Sequence, residues 1–475
     1  MELSITENLI NSSIIQKLKK VVEESKIESY IIGGFVRDYL LDNKKSKDID
    51  IVCIGSGIDV AKALKKNLPN SSKIQIFKNY GTAMFTWNDM VLEFVGARKE
   101  SYTSESRNPN IKIGSLKDDQ KRRDFTINAM AISLNKSNFG TIIDPFDGIN
   151  DLKNNLLKTP LDPDKTFSDD PLRMLRCIRF ATQLNFTIEK NSLKSIGLNR
   201  NRIEIVSKER IVDELNKIIS SQKPSIGFMV LDQTGLLDQI LPEIKNLKGI
   251  EEIEGFKHKD NFYHTLEVLD NICESTNKLW LRWAALLHDI GKAPTKKLSN
   301  DIGWTFHGHE FVGSKMVYKL FKRLKMPLND KMKYVQKLVL MSSRPIVIAQ
   351  DLVTDAAVRR LVFDAGDNID DLICLCKADI TTKNKKKFSE YHRNFEIVTN
   401  KIIEVEKRDR IRNFQPPVNG ESIMKYFNLK PCKEVGKIKE IIKEAILEGK
   451  IPNNKNDALK LMKLTGKELG LKTNE

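Results

Sequence analysis

The chain has 475 residues, which is too long for a single hydrophobic core and predicts several domains. Its 79 lysines and arginines exceed its 63 acidic residues, and the resulting net charge of +16 is typical of a protein that binds a polyanion such as nucleic acid. No apolar run reaches the roughly 20 residues of a membrane span, and the six scattered cysteines form no disulfide framework, so the sequence predicts a cytoplasmic protein without a membrane partner.

The first predicted element with chemical content is a glycine turn near the N-terminus. The apolar run at residues 30–32 predicts a strand, Gly33 and Gly34 predict a tight turn, and residues 35–41 predict a helix. Backbone N–H groups at the start of that helix would face the turn, and such groups bind phosphate well. The pattern therefore predicts a phosphate cradle.

Two carboxylates follow on the next predicted strand. Asp48 and Asp50 flank Ile49 in an apolar stretch, and alternation along a strand puts both on one face, where they favour a divalent metal. A phosphate cradle beside such a pair indicates nucleotidyl transfer, because metals stabilise the attacking and leaving oxygens of an in-line displacement. Glu93 also lies on an apolar strand run, but we interpret it as a partly exposed residue at a strand edge and leave it out of the site.

The rest of the N-terminal region mixes strand and helix patterns. Short β-type runs up to residue 145 predict an α+β domain that carries the catalytic site. The polar segment between Arg98 and Arg123 has few apolar residues and predicts a mobile loop over this site. Beyond Asn150 the strand signals nearly vanish, and apolar residues at three- and four-residue spacing predict helices.

A first cationic motif lies at the end of that polar segment. Arg122 and Arg123 precede an apolar stretch and could clamp a triphosphate with paired hydrogen bonds. Asn128 lies inside the apolar stretch, which indicates that this part of the chain faces something polar.

A second cationic motif lies on a predicted helix that starts near Pro171. Four charged residues recur every three positions along one face of this otherwise apolar helix: Asp170, Arg173, Arg176 and Arg179. Asp170 beside Arg173 offers an acceptor next to a donor, which matches the pairing edges of cytosine and adenine. Guanine and uracil present the reverse order and would be refused.

Together these motifs resemble those of the class II tRNA nucleotidyltransferases, the CCA-adding enzymes and their poly(A) polymerase relatives within the polymerase-β superfamily. The resemblance runs from about Tyr30 to the C-terminal tail and rests on GGFVRD with DID, on RRDFTINA, DPFDG and DDPLR, and on the helix with Glu209, Arg210 and Glu214.

The resemblance implies roles for the motif residues. Asp48 and Asp50 would be the catalytic residues and would bind Mg²⁺. Gly34 and Arg37 would contact the triphosphate, and Asp170 with Arg173 would read the incoming base. Combined with the motif chemistry, it predicts the following nucleotide-binding residues: Gly33, Gly34, Arg37, Arg122, Arg123, Asp124, Asn128, Asp170, Arg173, Arg176 and Arg179.

A histidine cluster lies in the middle of the chain, where five of the six histidines fall between His258 and His309. Histidine next to aspartate at a predicted helix end supplies ligands for a transition metal. The pattern resembles HD-type phosphohydrolases and implies that a divalent metal such as Ni²⁺, Mn²⁺ or Co²⁺ binds to four residues: His264, His288, Asp289 and Asp379. His309 could join a second metal.

These resemblances imply a multidomain fold, in which an N-terminal α+β nucleotidyltransferase head with a mixed sheet precedes an all-α neck, body, HD domain and tail. The tail is basic and would bind tRNA through shape and phosphate contacts. The predicted boundaries are 1–147 for the head, 148–222 for the neck with the base-reading helix, 223–255 for the body, 256–385 for the HD metal-binding domain and 386–475 for the tail.

The predicted function is addition of the 3′-terminal CCA to tRNA from CTP and ATP, without a nucleic-acid template and with release of pyrophosphate. Whether the HD domain also hydrolyses phosphoesters at RNA ends stays open, as does the oligomeric state. One alternative is a poly(A) polymerase or an A-only adding enzyme, but the segment FKNYGT at residues 77–82 stands where poly(A) relatives tend to carry a GRRF type of sequence.

A second alternative is a metal phosphohydrolase whose transferase half is only an RNA-binding remnant, and the intact Asp48 and Asp50 argue against it. A scaffolding RNA-binding protein would need neither of the two metal-binding patterns.

Overall fold

The computed structural model describes residues 11–41, 47–78, 81–103, 106–250, 252–253, 256–257, 259–299, 301, 303–350, 353–412 and 414–472. The chain divides into two compact units, Met1–Pro242 and Glu243–Glu475.

The first unit combines a mixed sheet with helices. Its strands are β1 (Ser29–Ile32), β2 (Asp48–Cys53), β3 (Gln75–Phe77), β4 (Thr82–Trp87), β5 (Met90–Gly96), β6 (Arg98–Thr103), β7 (Ser106–Ile113), β8 (Ala131–Ser133), β9 (Ile142–Ile143), β10 (Leu156–Leu157) and β11 (Thr187–Ile188). Its helices are α1 (Ser13–Ser25), α2 (Gly34–Leu40), α3 (Gly57–Lys66), α4 (Leu116–Lys121), α5 (Gly148–Lys153), α6 (Pro163–Asp169), α7 (Leu172–Leu184), α8 (Lys190–Asn199), α9 (Lys208–Ile219), α10 (Ser225–Gln233) and α11 (Leu236–Ile240). A 3₁₀ turn, Thr126–Asn128, precedes β8.

Seven of these strands form one sheet in the order β3–β4–β5–β2–β1–β8–β9. β2 and β5 run parallel, and the other neighbouring pairs in this sheet run antiparallel. On β2, Ile49 and Ile51 are buried in the core, as their alternation predicts. Asp48 and Asp50 therefore share the opposite face of the sheet.

The described residues of the segment predicted as a mobile loop form two strands and a helix, so the prediction of a loop is wrong. β6 and β7 pair as an antiparallel hairpin, and α4 follows it. Ser115 begins α4 with a capping box, in which its hydroxyl accepts from the Asp118 N–H and the Asp118 carboxylate accepts from the Ser115 N–H. Backbone hydrogen bonds can pair two strands whatever their side chains are. The polar composition of this segment therefore gave no strand signal in the sequence.

The second unit is mainly helical. Its helices are α13 (Asn261–Ser275), α14 (Leu279–Leu287), α15 (Lys292–Thr295), α16 (His309–Arg323), α17 (Asp330–Met341), α18 (Arg344–Gln350), α19 (Asp355–Ala365), α20 (Ile369–Ala378), α21 (Lys385–Asp409), α22 (Gly420–Phe427), α23 (Lys433–Leu447) and α24 (Lys455–Glu468), after α12 (Pro242–Lys245) at the boundary of the two units. Two short hairpins, β12 (Glu252–Ile253) with β13 (Phe256–Lys257) and β14 (Lys297–Ser299) with β15 (Gly303–Thr305), accompany them. Among the described residues, no helix has the length and apolarity to cross a membrane.

The predicted fold class is confirmed, because a mixed-sheet N-terminal region is followed by a helical remainder. The finer division into five domains stays a prediction.

Gly148, at the start of α5, allows a close approach of two chain segments that supports the site described below. A Cβ at this position would lie 2.5 Å from the Thr126 carbonyl oxygen. We expect Gly148→Ala to lower the free energy of unfolding by about 1–3 kcal/mol, because backbone atoms cannot move aside cheaply. Chemical denaturation followed by circular dichroism measures this change.

Gly436 provides the matched control, since it lies within α23 and a Cβ there meets nothing within 4 Å. Gly436→Ala should leave stability unchanged or raise it by up to about 1 kcal/mol. Equal effects of the two substitutions would contradict the packing at Gly148.

Candidate active sites

The predicted glycine turn connects β1 to α2. Gly33 has a φ of +87°, a conformation that side chains of L-residues rarely adopt. A Cβ on Gly33 would also lie 2.8 Å from Arg123 Nη1 and 3.2 Å from Asp50 Oδ2. The turn therefore needs glycine for both its shape and its space, and it brings a cation and a carboxylate to the start of α2.

Three carboxylates lie on the two parallel strands beside this turn. Asp50 on β2 is in register with Glu93 on β5, and Asp48 precedes Asp50 on the same face. β5 is an interior strand between β4 and β2, so the interpretation of Glu93 as a strand-edge residue is wrong. Sequence reasoning missed Glu93 because an edge is defined by which strands pair, and pairing is not local information.

Crowding of these carboxylates changes their proton affinity. Burial raises the pKa of Asp50, Arg123 lowers it, and Asp48 raises it again, with a net upward shift. Burial and then the Asp50 carboxylate raise the pKa of Glu93. A divalent cation bound by these oxygens would offset both the burial of the carboxylates and their mutual repulsion. The residues present therefore fit a metal site.

Arg122 and Arg123 are held by a carboxylate that sequence reasoning missed. Asp119 is fully buried, and its Oδ1 accepts from Arg122 Nε at 2.8 Å and also from Arg122 Nη2. Its Oδ2 lies 3.3 Å from Arg123 Nε. The available signal was the spacing of three and four residues on a helix, which brings an acid and a base together.

A second buried carboxylate organises the centre of the site. Asp124 accepts from Asn128 Nδ2 at 3.0 Å and from Arg176 Nε at 2.8 Å, and Asn128 Oδ1 accepts from Arg37 Nη1 at 2.7 Å. Burial favours the neutral acid, but Arg176 and Asn128 hold the pKa of Asp124 far below its usual range. This network ties α2, the 3₁₀ turn and α7 together.

The predicted base-reading pair lies at the start of α7. The Asp170 carboxylate accepts from the Leu172 N–H at 3.2 Å, and Arg173 Nη2 donates to the Arg122 carbonyl at 2.7 Å. Asp170 and Arg173 line a cavity of about 270 Å³ together with Asp50.

Arg179 is the last of the predicted nucleotide-binding residues along α7. Its Nε lies 2.6 Å from Glu214 Oε2, and its guanidinium packs 3.9 Å from the centre of the Phe180 ring. It lines a second cavity, of about 500 Å³, with the glycine turn and Asp48. The two cavities share Asp50 and Arg123, and every residue that the sequence predicts for the nucleotide site lines one or both of them.

A separate cluster in the second unit contains the predicted HD residues. His264 lies on α13, His288 directly follows α14, and Asp379 directly follows α20. One ligand atom from each of these three residues lies within 4.8 Å of the others. The Asn271 side chain on α13 donates to the Ala378 carbonyl at 2.9 Å and so fixes the position of Asp379.

Asp289 lies in the middle of this cluster. Its Oδ2 is 3.3 Å from His288 Nε2 and 3.6 Å from His264 Nε2, and its Oδ1 is 3.6 Å from His309 Nε2. Lys292, which sequence reasoning missed, lies 2.7 Å from Asp289 Oδ2. The structure therefore brings all five predicted residues together, whereas His258 lies outside the described residues.

The hydrogen bonds of His288 and His309 suit metal binding. Nδ1 of His288 lies 2.8 Å from the Ala285 carbonyl and Nδ1 of His309 lies 3.0 Å from the Phe306 carbonyl, so each Nδ1 donates a proton and Nε2 is the ring atom that a metal could bind in place of a proton. His288 Nε2 is buried and makes no hydrogen bond of acceptable geometry among the described residues. These residues fit a divalent metal.

The histidines and aspartates of the cluster shift one another's pKa values. Burial disfavours a charged imidazole, but the Asp289 and Asp379 carboxylates raise the pKa of His288 to about 10. Burial likewise opposes ionisation of Asp379, yet its contacts with His264 and His288 hold its pKa well below the usual range. Lys292 and a proton on His288 together balance the two carboxylates.

Comparison with known proteins identifies the class of each region. Residues 29–158 match the model of the poly A polymerase head domain, residues 185–248 match a probable RNA and SrmB-binding site of polymerase A, and residues 261–384 match the HD domain.

Relatives that match most of the chain then identify the family. The A-adding tRNA nucleotidyltransferase of Deinococcus radiodurans is 31% identical over 345 residues, which cover 71% of this chain and 76% of the relative. The multifunctional CCA protein of Shewanella frigidimarina is 32% identical over 380 residues, which cover 76% and 86%. The chain belongs to the tRNA nucleotidyltransferase and poly(A) polymerase family.

A solved structure shows the same fold. The Thermotoga maritima CCA-adding enzyme complexed with tRNA CCA superposes with a TM-score of 0.60 at 22% identity, over 96% of this chain and 94% of that one.

Asp119 contacts Arg122 and Arg123 from the protein interior and so positions both guanidiniums. We expect Asp119→Asn to raise KM for CTP and ATP roughly tenfold or more, since both guanidiniums lose the ionised acceptor that orients them. Steady-state nucleotide incorporation into tRNA measures this change.

Asp118→Asn is the control for this experiment, since the partly exposed Asp118 carboxylate caps the same helix and its hydrogen bonds go to Ser115 rather than to either guanidinium. A loss of folded protein in Asp119→Asn, or an equal KM in both variants, would contradict a positioning role.

Proposed function

We propose that this protein adds CCA to the 3′ end of tRNA from CTP and ATP. The observation that carries the proposal is the placement of Asp170 and Arg173 in one cavity with Asp50. A base held by this pair would lie close to the catalytic carboxylates, so protein side chains would select the nucleotide.

In the proposed reaction, the 3′-hydroxyl oxygen of the RNA forms a bond to the α-phosphorus of the nucleotide. The bond from that phosphorus to the bridging oxygen breaks, pyrophosphate leaves, and the hydroxyl proton passes to solvent. Asp48 and Asp50 would hold Mg²⁺, with Glu93 beside them, and Mg²⁺ would supply charge stabilisation for the attacking and leaving oxygens.

The chain's own cations would hold the triphosphate. Arg123 lies beside the glycine turn, where backbone N–H groups at the start of α2 favour anions. Arg122 lines the adjoining cavity of about 270 Å³. Arg37 and Arg176 are held by the Asp124 network and also line the 500 Å³ cavity. Arginines in the walls of both cavities support binding of a triphosphate.

Addition of A alone is the second candidate. It is favoured by the Deinococcus radiodurans relative, whose name is A-adding tRNA nucleotidyltransferase. The multifunctional CCA protein of Shewanella frigidimarina, with the larger coverage, supports complete CCA addition. The FKNYGT segment also favours CCA addition over poly(A) synthesis, although its Asn79 and Tyr80 lie outside the described residues.

The acceptor is proposed to be tRNA. The Thermotoga maritima structure is a complex with tRNA CCA, and the net charge of +16 supports a polyanionic partner. A tRNA substrate also supports the predicted cytoplasmic location.

For the HD domain we propose hydrolysis of phosphoesters at RNA ends. His264, His288, Asp289 and Asp379 would hold a divalent metal such as Ni²⁺, Mn²⁺ or Co²⁺, with His309 near a second position. Nε2 of His288 and Nε2 of His309 support nitrogen ligation, because the Nδ1 atoms are engaged with backbone carbonyls. Transition metals bind nitrogen ligands more readily than Mg²⁺ does. Such a metal would supply an activated water.

The direct test uses purified protein and three tRNA acceptors that lack CCA, CA or only the terminal A. We expect label from CTP to enter the first acceptor twice and label from ATP to follow once, because the base-reading pair accepts only C and A. Sequencing gels of the products give the order.

Incorporation only into the acceptor that lacks the terminal A would identify an A-adding enzyme. Long runs of A would identify a poly(A) polymerase, and either result would contradict CCA addition.

A further inference from the structure

A cavity of about 590 Å³ lies directly beside the histidine and aspartate cluster of the second unit. His264 and Asp379, two of the proposed metal ligands, form part of its wall. The volume falls within the range of small-molecule sites and far exceeds what a phosphate group needs. A phosphoester with its phosphate at the cluster would therefore have room here for its organic part.

One wall of the cavity is a single face of α21. Asn394 and Phe395 lie three and four residues after Tyr391, and Ile346 and Ala349 contribute from α18. Tyr391 and Asn394 are half-buried, whereas Phe395 is buried. Aromatic and aliphatic surface with one amide group offers stacking area together with a donor and an acceptor, which are the groups that bind a nucleobase.

Two lysines give the same cavity positive charge. Lys259 Nζ lies 2.6 Å from Thr381 Oγ1 and 3.1 Å from His264 Nδ1, which places an ammonium group where the cavity meets the cluster. Lys383 also lines the cavity. Glu267, one turn after His264 on α13, supplies a carboxylate acceptor suited to a ribose hydroxyl.

The chemistry of these walls favours some phosphate compounds over others. Inorganic pyrophosphate would leave the apolar side of the cavity unfilled, and a sugar phosphate would place hydroxyl groups against Ile346 and Phe395 without partners. A nucleoside presents a flat apolar base and a polar ribose, and it matches both parts of the wall.

We propose that this cavity binds the nucleoside part of the phosphoester on which the HD cluster acts, with Tyr391 and Asn394 as its specificity-determining residues. The proposal rests on the proposed hydrolytic function of the HD domain. It makes the substrate a nucleotide or an RNA end with a 3′-terminal nucleoside, and it places the base against α21.

The test compares Tyr391→Ala with Glu390→Ala in the full-length protein. Glu390 precedes Tyr391 on α21 but is exposed and does not line the cavity. The probes are adenosine 2′,3′-cyclic phosphate and inorganic pyrophosphate, each assayed with added Ni²⁺ or Mn²⁺. In the cyclic ester, a water oxygen bonds to phosphorus, the bond from phosphorus to the ribose 3′-oxygen breaks, and that oxygen takes the proton, which leaves a 2′-phosphate.

We expect Tyr391→Ala to raise KM for the cyclic nucleotide about tenfold or more, with kcat within about twofold, because the variant loses base stacking but keeps the cluster. Glu390→Ala should match the wild type. Any pyrophosphate hydrolysis should be the same in both variants. An unchanged KM in Tyr391→Ala would overturn the proposal.

A second measurement separates this proposal from the function on which it rests. If the wild type and His288→Ala hydrolyse the cyclic nucleotide equally slowly, the proposed HD activity is wrong, and calorimetric binding of adenosine 2′-monophosphate then decides the cavity. Binding at the transferase site is common to all variants and cancels in the comparison. Weaker binding by Tyr391→Ala than by Glu390→Ala supports the cavity, and equal binding overturns it.

Discussion

Two buried carboxylates fix the positive side of the proposed transferase site. Asp119 contacts Arg122 and Arg123 from behind, and Asp124 connects to Arg176 directly and to Arg37 through Asn128. Guanidiniums brought this close would repel one another without such partners, and each would lose orientation. The arginines can therefore converge on Asp50 because the protein interior supplies the compensating charge.

An aromatic ring completes this arrangement. The guanidiniums of Arg37, Arg176 and Arg179 lie 4.9, 5.5 and 3.9 Å from the centre of the Phe180 ring. Flat cations pack well against an aromatic face, which allows charged side chains on a mostly buried helix. The charged face of α7 is thus both part of the packing and part of the cavity wall.

The sequence allowed prediction of those parts of the site that depend on local periodicity. The glycine turn, the alternation of Asp48 and Asp50, and the three-residue spacing on α7 are short-range patterns, and each folds as its period predicts. The position of Glu93 depends on which strand lies beside β5, and strand order is long-range information that no window of sequence contains. The β6–β7 hairpin was concealed by its polar composition for a similar reason.

The second unit shows the same division between local and long-range features. The position of His288 and Asp289 at a helix end was predictable, because adjacency and helix ends are local features. The cavity beside them was not, because its wall combines α21 with α18 and the segment after α20. Only the packing of these helices turns Tyr391 and Asn394 into a surface next to the cluster.

The base preference of Asp170→Ala decides whether amino-acid side chains select the incoming nucleotide. Incorporation of all four nucleotides into tRNA should be compared with that of Asp169→Ala, the neighbouring control. If Asp170 reads the base, discrimination against UTP and GTP falls about tenfold or more in Asp170→Ala, and KM for the preferred nucleotides changes only a few-fold. Unchanged base preference in active Asp170→Ala protein would contradict this role of Asp170.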